Sequence, residues 1–107
     1  MKPLKFIGSS EDDLAEFPRE AKGLAWNELW QVQLGLMPSD WKPMLNVGAG
    51  AYEIRVRVLG EWRVIYVAKF ADAIYVLHAF QKKTQQTCKE DIALAAARYK
   101  QLKEIAK

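Results

Sequence analysis

A chain of 107 residues, half of them hydrophobic and 27% charged, can build one small domain with its own core and is too apolar to be disordered. Its apolar runs fall short of the roughly 20 residues of a membrane span, the Met1–Gly8 stretch is too short for a signal peptide, and one cysteine, Cys88, excludes an internal disulfide or a multi-cysteine metal site, so a cytoplasmic protein with a reduced thiol is expected. The net charge of +3 is unevenly spread: residues 1–50 hold five Lys/Arg against seven Asp/Glu, and residues 51–107 hold eleven against six, which suggests an anionic partner for the second half, nucleic acid first among candidates.

Leu4 to Ile7 reads as a short first strand ending at Gly8. Ser9 or Ser10 can cap a helix whose first turn carries Glu11, Asp12 and Asp13, acids that suit the positive end of the helix dipole. Pro18 interrupts this helix and is expected at the first position of a second one. From Arg19 to Leu36, Ala21, Leu24, Ala25, Leu29, Val32 and Leu36 form an amphipathic stripe flanked by Trp26 and Trp30. The acids, Glu28 among them, are expected to face solvent. Gly35 and Pro38 end the helix, and Met37 to Gly50, with two prolines and two glycines, reads as a loop tucked in by Trp41, Met44, Leu45 and Val47.

Tyr52 to Thr87 organises the rest. Three strands are expected, Tyr52–Val58, Trp62–Phe70 and Ala73–Phe80, followed by a basic exit, Gln81-Lys82-Lys83-Thr84. Tyr52, Ile54, Val56 and Val58 alternate with Glu53, Arg55 and Arg57. A two-residue turn at Ala71-Asp72 sets Arg63 opposite Phe80 and Ile65 opposite His78, so that Arg63, Lys69, His78 and Phe80 share a face. A two-residue turn at Gly60-Glu61 then puts Arg55 and Arg57 on the other face, and a one-residue bulge would bring them round. Thr87-Cys88-Lys89-Glu90 has the form of a capping box, with Cys88 at the first helical position. The closing helix carries Ile92, Ala95, Ala96, Tyr99, Leu102 and Ala106 on one stripe, with Ile105 at its edge. The whole is one α+β domain, residues 1–107, with a small antiparallel sheet in the order β-α-α-β-β-β-α, a helical hairpin packed on it and a C-terminal helix.

His78 is the only histidine and by itself makes no metal cluster; a lone histidine in an apolar strand is more often structural than catalytic. Nucleophile elbows and paired strand carboxylates are absent from the sequence, so no cofactor is expected. What remains is a set of cations on a sheet beside aromatic rings, a combination that suits RNA: Arg and Lys neutralise phosphates, and rings stack on bases. It also suits RNA cleavage, which needs a base for the 2′-hydroxyl, cations for the pentavalent phosphate and an acid for the 5′-oxygen. Arg57, Lys69 and Phe80 are candidates for RNA binding, and His78 for an acid. The plain alternative is a basic sheet edge that resists aggregation.

The succession Tyr52-Glu53-Ile54-Arg55, Trp62-Arg63-Val64-Ile65-Tyr66, and Ile74 to Thr84 ending Phe80-Gln81-Lys82-Lys83-Thr84, then Thr87 and a helix, resembles the HigB-like branch of the RelE/ParE toxin superfamily, which also occurs in phages. The resemblance covers nearly the whole chain. Trp62 stands where that branch usually has Tyr, and Cys88 where it has Pro. The resemblance implies a RelE-like fold and the toxin of a type II toxin–antitoxin system, a metal-independent mRNA endoribonuclease acting on translating ribosomes. It implies neutralisation by a helix-turn-helix antitoxin, with only indirect DNA contact through the antitoxin complex. By motif match Arg55, Arg63, Phe80, Lys82 and Lys83 carry over, as does Tyr66, whose side chain could be core. Arg55, Arg63, His78, Lys82 and Lys83 are thus the candidate catalytic set. Alternatives of another class are a ParE-like inhibitor that binds gyrase and an inactive binding module.

Overall fold

A computed structural model describes residues 1–105. The chain runs β1 (Leu4–Phe6), α1 (Ser10–Ala15), α2 (Arg19–Gln33), β2 (Trp41–Pro43), β3 (Ala51–Arg57), β4 (Glu61–Val67), β5 (Ile74–Gln81) and α3 (Lys89–Ile105). The strands form one open sheet in the order β1-β5-β4-β3-β2, antiparallel except for β1 beside β5. The expected α+β architecture is present. One strand was not expected: β2 lies inside the stretch that reads as loop. It is three residues long, it ends in Pro43, and it pairs at the sheet edge, where a missing N–H costs least.

The sheet buries both faces. On one, α1, α2 and the turn between them cover Ile54, Val56, Trp62, Val64 and Tyr66 with Leu14, Phe17, Ala21, Ala25, Leu29 and Val32. On the other, α3 brings Ala95, Tyr99 and Leu102 onto Ile65, Val67, Tyr75 and Leu77, joined by Met44 and Val47. Leu24 and Leu36, expected on the buried stripe of α2, are exposed, and so are Trp41 and Leu45 from the preceding reading of the loop. Glu28 is buried rather than solvated, because it accepts hydrogen bonds from the Ser39 backbone N–H and hydroxyl and so closes the turn after α2. Ala106 lies outside the described residues.

The helix starts also differ in detail. Ser9 precedes α1 but donates its hydroxyl to Asp13 (2.8 Å) rather than capping backbone, while Ser10 donates to the Val76 carbonyl (3.0 Å) and pins α1 to β5. Pro18 stands just before α2 and accepts from Lys22 N–H at 2.8 Å. The expected capping box at α3 does not form. Ile92 N–H bonds the Cys88 carbonyl (3.1 Å), so Cys88 is the cap residue, and its thiol donates to Asp91 (2.8 Å).

Two irregularities set what faces what. The β3–β4 connection is a three-residue loop, Val58-Leu59-Gly60, not a two-residue turn: Arg57 pairs with Glu61 and Arg55 with Arg63. Leu59 (φ 55°) and Gly60 (φ 128°) supply the left-handed turn. Between β4 and β5 the expected pairs Arg63–Phe80 and Ile65–His78 hold, but Tyr66 pairs with Val76, so Leu77 is an extra residue. The bulge turns Leu77 toward the α3 core alongside His78, and Arg98 on α3 donates to the Leu77 carbonyl at 2.8 Å. β4 ends at Val67, so Lys69 falls beyond it.

Close packing at Gly48 gives a stability test. A Cβ there would sit 2.5 Å from two carbons of the Tyr99 ring, which is buried and tied through its hydroxyl to the Ala49 carbonyl. Gly48→Ala should lower the stability by about 1–3 kcal/mol. Gly23→Ala, inside α2 with open space around it, should raise it by about 0.5–1 kcal/mol. Urea-denaturation midpoints of the two variants should move in opposite directions.

Candidate functional site

The register builds the site row by row. On the α3 side of the sheet, one cross-strand row reads Arg55, Arg63, Phe80, continued by Asp40, whose carbonyl accepts the Arg55 N–H at 2.9 Å. The next row reads Lys42, Glu53, Ile65, His78. Arg55 and Arg63 therefore share one face, and the cations form a single cluster at one end of the sheet.

Arg63 is at the centre and out of solvent, with 1% of its side chain exposed. Its Nη2 donates to Glu61 Oε1 (2.9 Å), its Nη1 to the Trp62 carbonyl (2.9 Å), and its Nε faces Glu53 Oε1 at 3.6 Å. Glu53 is fully buried and also accepts from the Thr87 hydroxyl (2.9 Å), with Lys42 Nζ at 4.0 Å. The hydrogen bond from Arg63 holds the Glu61 carboxyl below its usual range.

The accessible cations ring this buried pair. Arg55 is partly exposed and lies 3.6 Å from Asp40, while Arg57 is exposed between Asp40 (3.7 Å) and Glu61 (3.5 Å). Lys82 leaves β5 with its N–H on the Glu61 carbonyl at 2.7 Å. Burial first, and then the charge of Arg63, hold its ammonium below the ordinary lysine range; Glu53 pulls the other way, and Lys42 and Arg55 add to the depression. Lys83 is exposed beside it, and the two share a cleft of about 120 Å³ with Gln81, Thr84, Cys88 and Asp91. Six cations, Lys42, Arg55, Arg57, Arg63, Lys82 and Lys83, thus meet three carboxylates, Asp40, Glu53 and Glu61, and positive charge is left over.

Three sequence candidates sit differently from expectation. His78 is buried, stacked on Phe80 (centroids 4.6 Å apart) and bound through Nε2 to Asp91 at 2.7 Å. The pair joins β5 to the first turn of α3. Phe80, 9% exposed, offers little ring surface for a base. Lys69 is at the opposite end of the sheet, over the Phe70 and Tyr99 rings at 5.7 and 5.6 Å. Tyr66 is core on the helical-hairpin side, where burial raises its hydroxyl above the ordinary tyrosine range. The Cys88 thiol is raised above its ordinary range by its hydrogen bond to Asp91, the opposite of an activated nucleophile.

Sequence reasoning missed the partners. Glu53 was readable, because strand alternation puts it on the same face as Arg55. Lys42, Asp40, Thr87 and Asp91 come from a stretch read as loop or from a helix start, and no local signal brings them here. Among the described residues no group of three His, Cys, Asp or Glu is placed to hold a metal ion, and no helix is long and apolar enough to cross a membrane.

Removing Arg63 would leave Glu53 buried without its principal counter-charge. Arg63→Ala should cost about 3–5 kcal/mol, whereas Arg55→Ala, at a partly solvated pair, should cost under about 1 kcal/mol; chemical denaturation of both reads the difference. Lys82 behaves in the opposite sense. Its lowered folded-state pKa means the fold disfavours its charge, a penalty fully present at neutral pH and relieved as pH rises through that value. Lys82→Met should therefore raise the urea midpoint at neutral pH, with the gain shrinking in alkaline buffer.

Residues 12–100, well over half of the chain, match the model of a family described as phage derived protein Gp49-like (DUF891). No curated protein matches the chain.

Proposed function

The chain belongs to this Gp49-like family, and from that premise we propose that it is the toxin of a type II toxin–antitoxin pair that cleaves mRNA on the ribosome. The family falls in the RelE-like toxin group, and its members are commonly toxins of such pairs. The observation that carries the nuclease reading is the placement of Lys82, tied to the Glu61 carbonyl beside Arg63, at the rim of a cluster that includes Arg55 and Lys83; burial and Arg63 lower its proton affinity.

Cleavage of RNA without a metal needs a base for the 2′-hydroxyl and cations where charge develops on phosphorus. In this reading neutral Lys82 takes the proton of the 2′-hydroxyl. The 2′-oxygen attacks the adjacent phosphorus, and the bond to the 5′-oxygen breaks. The products are a 2′,3′-cyclic phosphate and a 5′-hydroxyl. Arg55 and Lys83, both reachable, hold the phosphate oxygens, and the Lys83 ammonium gives its proton to the departing 5′-oxygen. Arg63 acts from below as a fixed charge, since it is buried and held by hydrogen bonds to Glu61 and the Trp62 carbonyl. His78, held by Asp91, has a structural role in docking α3 and is given no proton transfer. The partner is a helix-turn-helix antitoxin, through which the complex meets DNA, and the site of action is the cytoplasm.

Primer extension on an mRNA translated with the purified chain tests this. Wild type should produce new 5′ ends. Lys82→Met should reduce cleavage by about 10²–10⁴-fold with the fold intact, and Lys82→Arg should not restore it, because a guanidinium stays charged. The wild-type rate should rise with pH with a midpoint below the ordinary lysine value. Intact transcripts with the wild-type chain sink the nuclease reading, and inhibition of DNA supercoiling in the same samples would select the gyrase-binding one.

A further inference from the structure

Glu53 has no part in the chemistry above, yet it is the most deeply buried carboxylate in contact with the cluster. It touches both the central cation and the segment that presents the lysines. We propose that Glu53 is a positioning residue for the cleavage site: its one carboxylate ties the Lys82–Thr87 loop to the sheet and offsets the Arg63 charge beneath Lys82. This rests on the ribonuclease reading.

The loop is held at its two ends and little between. At its start the Lys82 N–H bonds the Glu61 carbonyl (2.7 Å), the last tie to β4. At its end the Thr87 hydroxyl donates to Glu53 Oε2 (2.9 Å), across 34 positions of sequence. Lys83, Thr84, Gln85 and Gln86 between them are exposed, and the Thr84 hydroxyl bonds only the nearby Gln86 carbonyl. Thr87 does not cap α3, since Cys88 does, so its hydroxyl is free for this tie. The other oxygen, Oε1, faces Arg63 Nε at 3.6 Å and Lys42 at 4.0 Å. A carboxylate buried there costs several kcal/mol of desolvation unless it is compensated; Arg63 and Lys42 supply opposite charge, and Thr87 supplies its one hydrogen bond among the described residues. Its negative charge is also the one contribution that favours the Lys82 ammonium against burial, Arg63, Lys42 and Arg55.

Two substitutions separate the ties. Thr87→Val keeps the volume and the Glu53 charge but removes the hydrogen bond. Glu53→Gln keeps an acceptor for Thr87 but removes the charge. With Thr87→Val, trypsin should nick the native protein after Lys82 and Lys83 several-fold faster. Single-turnover mRNA cleavage should fall roughly tenfold to a hundredfold, the scale of an ångström's misplacement, with the midpoint of its pH profile unmoved. With Glu53→Gln, the Lys82 Nζ titration followed by NMR and the pH profile of cleavage should both move to lower pH, while tryptic nicking stays near wild type. If Glu53→Gln does not fold, Thr87→Val decides alone: nicking and cleavage at wild-type rates overturn the proposal. A folded Glu53→Gln in which Lys82 titrates as in wild type also overturns it. The nicking and NMR readouts need no RNA. Wild type that leaves mRNA intact while both readouts move therefore overturns the ribonuclease reading alone, and wild type that cuts while both variants behave like it overturns the role of Glu53 alone.

Discussion

The buried contact between Glu53 and Arg63 is the constraint on which the site depends. Two ionised groups without solvent are costly, and their attraction offsets that cost only when the geometry is held. Here the geometry is the β3–β4 register. Slipping β3 by one residue would turn Glu53 and Arg55 toward the helical hairpin and its apolar core. Slipping it by two would keep the face, setting Glu53 across from Val67 and away from Arg63 in one direction and directly across from Arg63 in the other. The pair thus disfavours slips that the apolar pattern would accept, and it fits the observed register. In that register Arg55 lies directly across from Arg63, an unfavourable like-charge pairing. It is tolerated because Asp40 flanks Arg55 while Glu53 and Glu61 flank Arg63.

Much of the fold was legible because its signals are local. Alternation marks β3, the 3.6-residue period marks α2 and α3, and glycine and proline mark most of the breaks. What escaped are events one residue wide. The β3–β4 turn reads as Gly60-Glu61 because glycine is the usual donor of a positive φ. Here Leu59 takes a positive φ as well, so the loop starts two residues earlier, at Val58, and has three members. That changes the parity of the pairing and brings Arg55 and Arg57 onto the Arg63 face. The Leu77 bulge is equally silent: an apolar residue in an apolar strand gives no sign that its carbonyl will be claimed by Arg98 on α3, twenty-one positions on. β2 was hidden by its length and by Pro43, both marks of an edge strand but also of a loop.

The candidate site was legible by residue type and not by exposure. Composition shows the cations but not which of them solvent can reach, since each one's partner is remote in sequence or lies on another element. Arg63 reads as functional from the motif and His78 from its strand position, yet both side chains are already engaged, by Glu53 and Glu61 in one case and by Asp91 in the other. Lys82 and Lys83 lie past the last strand pairing, where no alternation applies, and they are the ones left at the surface of the cleft. The motif Phe80-Gln81-Lys82-Lys83-Thr84 therefore joins two kinds of residue: Phe80 closes the core over His78, and the lysines begin where the core ends.

That division suits a site whose chemistry is electrostatic. Charges that must not move when a phosphate arrives are best fixed below the surface, where the dielectric is low. Groups that must touch the substrate are best placed on a short exposed turn above them. Arg63 is of the first kind and Lys82 of the second, and they meet across the Lys82–Glu61 backbone hydrogen bond. The same proximity that lowers the proton affinity of Lys82 opposes folding at neutral pH, because the fold must hold a partly buried ammonium beside a guanidinium. The buried Glu53 limits that opposition without reaching the surface, so it does not compete with phosphate for the exposed lysines. Asp40 and Glu61 are the exposed carboxylates of the rim and pair with Arg55 and Arg57, whereas Glu53 moderates the repulsion from beneath.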